Sequence, residues 1–274
     1  MTDFFNQALV KIKMGNYEIN IPENHLLLKL VQVQPYRDQC VGISAGFFSE
    51  KYSSSLIIDI GANIGDTAAI IANYSSNELL LVESSDYYFD ILKTNVGNIK
   101  NNITLKKIFI ADGSQVSGFL YHWGGTAYFK PEEGGVNVET ERLCHLAESD
   151  VCFVKLDTDG FDFGIILDSI EWFSLLKPGI FFENQIRNTD DLEQANLVFN
   201  KLFEIGYKYF VFWDDPGFHL LSTSSINDIK QLNRYLFKVW EKDGYRTICN
   251  YDVLCIHKDD QEIYNSLCRY YETY

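Results

Sequence analysis

From Ser55 onward, short apolar runs alternate with stretches of helical periodicity. That alternation restricts the chain to βα units around a mainly parallel sheet, because strands that are apolar on every side need helices covering both faces. Leu56-Ile57-Ile58-Asp59-Ile60 reads as the first buried strand, followed by a glycine-containing turn and a helix from about Gly65 to Tyr74. Glu78 to Glu83 is expected as the second strand, with a helix over Tyr87 to Asn95, and Thr104 to Ile110 as the third. The fourth strand, Val151 to Asp157, precedes a helix over Phe163 to Leu176 that Lys177-Pro178-Gly179 stops. Ile180 to Glu183, Tyr207 to Trp213 and Val253 to His257 complete the set, the last expected antiparallel beside the fifth. A helix over Asp190 to Ile205 separates the first two of these.

Two interruptions stand out: a hairpin over Phe119 to Lys130 around Gly124-Gly125, and a polar excursion with a helix near Asn227 to Trp240. Residues 1–54 differ from the rest, with helical patterns over His25 to Val33 and Tyr36 to Tyr52. The expected organisation is an N-terminal helical cap (1–54) on one α/β domain (55–274). That domain carries the inserted hairpin near 115–131 and the excursion near 214–250.

The sharpest signal is Asp59-Ile60-Gly61-Ala62-Asn63-Ile64-Gly65-Asp66, directly after an apolar strand and opening a helix. Gly61 lets the backbone turn tightly and approach a ligand with no β-carbon in the way. From Gly65, free N–H groups at the helix start can meet an anionic group. Asp59 is placed to accept hydrogen bonds from an amino group. Glu83 ends the second strand about twenty residues beyond the glycines, where an acid can grip the two hydroxyls of a ribose. The spacing is Gly-x-x-x-Gly, without the second glycine that a pyrophosphate needs, so a ligand with ribose but no pyrophosphate fits better. S-adenosylmethionine is such a ligand. The candidate cofactor residues are therefore Asp59, Gly61, Ala62, Asn63, Gly65, Asp66, Thr67, Glu83 and Ser84.

A second constellation, Lys155-Leu156-Asp157-Thr158-Asp159-Gly160, closes the fourth strand, and Glu183-Asn184 closes the fifth. In open α/β sheets reactive groups gather at such carboxyl ends, near the switch in strand order. Like charges brought together there raise a carboxylate's pKa toward a value useful for proton removal. Asp157, Asp159 and Glu183 are the candidate bases. His122, beside Trp123 in the inserted hairpin, is a fourth. Asp162 or Asp159 also fits a plain helix N-cap. Asp157, Asp159, Glu183 and Asn184 offer the oxygen ligands that Mg²⁺ prefers, so a divalent metal is a further candidate.

Together the two motifs resemble the FkbM-type methyltransferase family. Its D-[IV]-G-A-N-x-G-D turn stands here as Asp59 to Asp66, and its K-[IL]-D-x-[DE]-G loop as Lys155 to Gly160. Phe181-Phe182-Glu183 and Asn95 match further positions, and Asp159 replaces the family's commoner glutamate. The resemblance covers roughly Leu56 to Asn184. It implies a Rossmann-like class I methyltransferase sheet and an S-adenosylmethionine-dependent O-methyltransferase, often one acting on sugars of polysaccharides, glycolipids or natural-product precursors. Two rivals share the sheet: a nucleotide-sugar oxidoreductase, against which the missing glycine weighs, and a non-catalytic scaffold. Trp213-Asp214-Asp215-Pro216-Gly217 leaves the sixth strand as a loop that would floor a sugar site, or as a surface turn.

Bulk composition narrows the partners. The 274 residues suffice for one large core, with 46% hydrophobic and 22% charged residues and a net charge of −15. Nucleic acid and anionic membranes call for clustered Lys and Arg, and the sequence has no such cluster. The six cysteines (Cys40, Cys144, Cys152, Cys249, Cys255, Cys268) follow no metal-ligand spacing and read as free thiols of a reducing compartment. Met1 to Lys13 carries Asp3 and no continuous apolar stretch, which argues against a secretory leader. With no window near the roughly 20 apolar residues that span a bilayer, the cytoplasm is the expected location and a small molecule or glycan the expected acceptor.

Overall fold

The computed structural model describes residues 7–113, 115–132, 135–242 and 250–273, and the statements below concern these. The chain opens with an antiparallel hairpin of β1 (Leu9–Met14) and β2 (Tyr17–Pro22), followed by α1 (Leu27–Val33) and α2 (Gln39–Lys51). The N-terminal segment is therefore not wholly helical, which corrects the expected cap. Its first strands alternate apolar and polar residues, and Gly15 turns between them at φ +60°.

The main elements follow as β3 (Leu56–Ile60), α3 (Asp66–Ile71), β4 (Leu79–Val82), α4 (Asp86–Asn95) and β5 (Ile103–Lys106). Next come β6 (Phe109–Ile110), β7 (Gln115–Trp123), β8 (Thr126–Pro131) and β9 (Val136–Glu141). Then β10 (Val151–Leu156), α5 (Asp162–Asp168), α6 (Ile170–Leu176), β11 (Gly179–Gln185) and α7 (Thr189–Glu204). The chain ends with β12 (Tyr207–Asp214), β13 (His219–Thr223), α8 (Ile226–Lys242), β14 (Asn250–His257) and α9 (Gln261–Glu272).

Among the described residues, eight strands form one sheet in the order β13-β12-β14-β11-β10-β3-β4-β5. The run from β11 to β5 is parallel, and β14 lies antiparallel between β11 and β12, as expected for the last strand. Helices cover both faces. Ile57, Leu79, Leu81 and Phe153 pack with α2, α3, α4 and α9 on one side. Ile58, Ile60, Leu80, Val154 and Phe182 pack with α5, α6, α7 and α8 on the other. Strand alternation sends neighbours to opposite faces, so these runs are apolar throughout, and each fully buried Ile, Leu, Val or Phe contributes about 1.5–3 kcal/mol. Local chemistry fixes the helix ends. Asn188 caps α7 by accepting from the Asp191 amide at 2.9 Å, and Lys177, at φ 55°, ends α6 before Pro178.

Three boundaries differ from expectation. The expected third strand splits: β5 stays in the large sheet, whereas β6 pairs with β9 in a second sheet of order β6-β9-β7-β8. The expected inserted hairpin is β7–β8 of that sheet, turning at Gly124-Gly125. The long helix after β10 breaks at Ser169 into α5 and α6. Of the excursion, β13 and α8 are seen, while residues 243–249, with Cys249, lie outside the described residues, as does Asp3. The other five cysteines are free. No helix of the described residues is long and apolar enough to cross a membrane.

Candidate active site

The strand order reverses at the pair β3–β10, so the carboxyl ends of these strands flank the switch point where open α/β sheets bind ligands. A cavity of about 300 Å³ opens there. Gly61, Asn63, Asp66 and Thr67 line it from the turn after β3, Glu83 and Ser84 from the end of β4, and Asp157, Asp159 and Glu183 from β10 and β11. Nine of the thirteen expected site residues thus share one wall.

The turn is built by three positive φ values, at Gly61 (77°), Asn63 (46°) and Gly65 (88°). The Gly61 and Ala62 amides both donate to the Val82 carbonyl, which ties the turn to β4. A β-carbon on Gly61 would sit 1.8 Å from the Asp157 carbonyl oxygen, so the two motifs touch only because this residue is glycine. Glu83 is 7% exposed, and its carboxylate accepts from the Asn63 amide at 2.9 Å and the Ser85 amide at 2.7 Å.

Four expected residues lie elsewhere. Ala62 and Gly65 are buried behind the turn, and α3 contributes six residues after Gly65. Asp59 is fully buried and already engaged, accepting from the Thr67 hydroxyl at 2.6 Å and lying 3.2 Å from the Lys155 ammonium. His122 turns away from the cavity: its Nε2 is 2.9 Å from the Ser85 hydroxyl, and its ring packs on Tyr87 and Tyr88. Strand alternation does not explain this, because His122 stands across from Ala127 on the inner face of β7–β8, which lines the cavity. Its contacts with Ser85, Tyr87 and Tyr88 take the ring aside.

Lys155 opens the second motif, and the sequence alone gives it no task. Its ammonium is buried 3.2 Å from the Gly61 carbonyl, 3.2 Å from Asp59 and 3.3 Å from Asp157. Burial works to lower its pKa, but the Asp59, Asp157 and Asp66 carboxylates outweigh burial and hold it above the ordinary lysine value. His25, Arg37 and Asp38 also reach the cavity from the N-terminal segment. Burial pushes the His25 imidazole down to about 4, so it is neutral at pH 7, and its Nδ1 accepts from the Leu27 amide. Arg37 pairs with Asp215 at 2.8 Å. No short-range signal announces these residues, since the fold alone brings the segment over the sheet.

The β7–β8 tip roofs the cavity. The Gly124 carbonyl accepts from the Leu26 amide at 2.8 Å, the Gly125 carbonyl accepts from the Asn63 side-chain amide at 2.9 Å, and Thr126 donates to Asp159. Asp162, the first residue of α5, closes the loop after β10 by accepting from the Thr158 amide and hydroxyl upstream. Neither it nor Asp159 is the helix N-cap, which falls on Phe161 without a side-chain hydrogen bond. Asn184 points to the other face and donates to Asn233, so the four oxygen ligands proposed for a divalent metal are not assembled. Among the described residues no group of three or more His, Cys, Asp or Glu is arranged to hold a metal. Trp213 is fully buried in the core and does not floor the cavity.

Burial raises several of these carboxyls: Asp66, Glu83 and Asp162 to about 7, and Asp159 to about 6, with the Asp157 charge adding to the last two aspartates. A carboxyl whose folded pKa lies above its unfolded value stabilises the fold fully below the unfolded value and loses that contribution as pH rises through the folded one. The ligand-free protein is therefore expected to melt at a higher temperature at pH 5 than at pH 8 in scanning calorimetry. The reverse order would mean these groups are solvated.

No protein-family model matches the chain, and no curated protein matches it. Among solved structures, it is similar to the FkbM methyltransferase from Methylobacillus flagellatus KT, at 11% identity over 74% of this chain and 43% of that one, with a TM-score of 0.44. The chain thus spans less than half the length of that protein. It is similar to the plantazolicin methyltransferase BamL, solved with a triazolic desmethylPZN analog and SAH, at 10% identity over 85% and 89% of the two chains and a TM-score of 0.46. A third is M. jannaschii TYW2 in complex with AdoMet, at 11% identity over 91% and 85% and a TM-score of 0.43. At such identities the likeness is one of fold.

Proposed function

We propose that this chain is an S-adenosylmethionine-dependent O-methyltransferase whose acceptor is a sugar hydroxyl. The observation that carries the reading is the shared wall at the switch point, where the turn after β3 and the Glu83 carboxylate face one cavity. Around it, Asp38, Asp66, Asp157, Asp159 and Glu183 face the cations Lys155 and Arg37. This acid-rich lining suits a donor that carries a sulfonium and an ammonium. Bound positive charge draws the raised Asp66 and Glu83 carboxyls into their charged form, whereas the pyrophosphate of a nucleotide-sugar oxidoreductase would push them further up.

When bound, the donor supplies an electrophilic methyl group. The residues of this chain hold and align the two partners, which accounts for much of the acceleration in an in-line displacement. In this reading the backbone at Gly61 and Asn63 receives the amino-acid end, Glu83 grips the ribose hydroxyls, and Ser84 borders the base. Asp157 orients the acceptor hydroxyl. Asp159, with its pKa near 6, is placed to take the proton that the hydroxyl loses. The free thiols of buried Cys40, Cys152 and Cys255 fit the cytoplasm.

Titration calorimetry with S-adenosylmethionine and S-adenosylhomocysteine tests the reading. Heat of binding is expected for both, and Glu83→Gln is expected to weaken them about tenfold or more, since charged hydrogen bonds are worth roughly 1.5–3 kcal/mol. Absence of heat, or equal affinity in the variant, would overturn the assignment.

A further inference from the structure

The outward face of the β7–β8 hairpin is aromatic, where an exposed strand face is ordinarily polar. Alternation in β7 sends Phe119, Tyr121 and Trp123 to one side. Tyr128 of β8 stands directly across from Tyr121, with ring centroids 5.6 Å apart and planes 19° from parallel. Phe119 lies 6.4 Å from Tyr121. These three rings are 38–40% exposed, and Trp123 is 71% exposed. The opposite face anchors the hairpin, with Phe129 buried against Phe109 and Phe161.

Cross-strand pairing gives Tyr121 and Tyr128 a structural reason to be there. It gives none for Trp123, at the end of the strand and mostly in solvent. Trp123 also lines the cavity, so the aromatic row runs outward from the cavity mouth. Beside the row, the Tyr121 hydroxyl reaches Glu132 at 3.5 Å, and Lys130 pairs with the same carboxylate, so these two charges offset each other.

Flat apolar faces bordered by hydroxyls and a carboxylate complement the C–H faces and hydroxyl edges of pyranose rings. Nucleobases would stack equally well, but their phosphates need a cationic track, and the row leads to a wall dominated by carboxylates on a chain of charge −15. We infer that this face binds a stretch of neutral glycan and leads one end past Trp123 into the cavity. The acceptor is then an extended chain and not a free monosaccharide. The inference rests on the methyltransferase reading for what happens inside the cavity, whereas the stacking itself does not.

Native gels cast with dextran, laminarin or galactomannan test it on the full chain. Migration is expected to slow in at least one of them. Tyr121→Ala combined with Tyr128→Ala is expected to weaken retention about tenfold, the scale of losing stacked rings. The corresponding Phe pair is expected to keep it, with both variants checked for intact melting. Unchanged migration in all three gels overturns the proposal, as does a Phe pair that fails as badly as the Ala pair. Retardation by poly(U) in place of the glycans, or a concentration-dependent dimer abolished by the Ala pair, assigns the face to another partner and equally overturns it. Calorimetry with S-adenosylmethionine on the same preparation separates the two claims. Retention without donor heat removes the methyltransferase reading alone, and donor heat without retention removes the platform alone.

Discussion

Gly61→Ala is expected to abolish S-adenosylmethionine binding and to lower the melting temperature by roughly 5–15 °C, at about 2–4 °C per kcal/mol for a domain of this size. Two effects add. The left-handed backbone at φ 77° costs an L-residue about 1–2 kcal/mol. The new methyl group would also stand 1.8 Å from the Asp157 carbonyl oxygen, an overlap that only backbone movement relieves, at about 1–3 kcal/mol. Because that movement parts β3 from β10, it displaces both the donor turn and the acceptor carboxylate. Gly65→Ala is the control. It has a similar φ of 88°, but its methyl group would meet side chains and no backbone, Leu92 at 2.8 Å and Val96 at 3.8 Å, and a side chain can rotate aside. Circular dichroism melts of the two variants should therefore separate clearly. Equal losses would mean that backbone strain alone matters and that the close approach between the motifs does not.

The contrast between these glycines shows which parts of the site were legible in the sequence. The strands β3, β4 and β10 announce themselves because both of their faces are covered, leaving uninterrupted apolar runs. Turn, acid and second carboxylate loop then follow in chain order, and Gly61, Glu83 and Asp157 do meet at one cavity. What depends on register or on remote segments was not legible. Asp59 reads as a ligand group from its place at a strand end, yet the pairing of β3 with β10 sets Lys155 directly beside it. His122 reads as overhanging the cleft, but Ser85, 37 residues earlier in the chain, and the rings of Tyr87 and Tyr88 engage it instead. His25 and Arg37 lie in the segment before the sheet, and remote partners bring them in, the roof hairpin at Gly124 through Leu26 and Asp215 through Arg37 itself. The β1–β2 hairpin is obscured for a local reason: its two six-residue strands alternate around Gly15 with a period of two, over a span too short to stand out beside the helical patterns that follow.

Register also sets a buried lysine between two carboxylates and the glycine turn. Lys155→Met is expected to destabilise the protein by about 3–5 kcal/mol, the usual effect of removing one partner of a buried ion pair. Methionine keeps the length and much of the volume, so the loss is electrostatic and not a cavity. Asp59 would remain fully buried with the Thr67 hydroxyl as its partner, and the Gly61 carbonyl would lose the ammonium. The test is the double variant Lys155→Met with Asp59→Asn, followed by urea unfolding at pH 7.5. Replacing both charges removes the stranded carboxylate, so most of the lost stability is expected to return. The choice of pH follows from the sign of the shift. A lysine held above its ordinary value contributes fully below that value and loses its contribution only as pH rises through the folded one, so at pH 7.5 the pair is intact. Donor binding should behave differently from stability. The double variant still lacks the ammonium that holds the Gly61 carbonyl, so its affinity for S-adenosylmethionine should stay below that of the native chain after the fold has recovered. A single variant as stable as the native protein would show that the pair carries no weight. A double variant that recovers both stability and affinity would show that Lys155 serves the fold and not the turn.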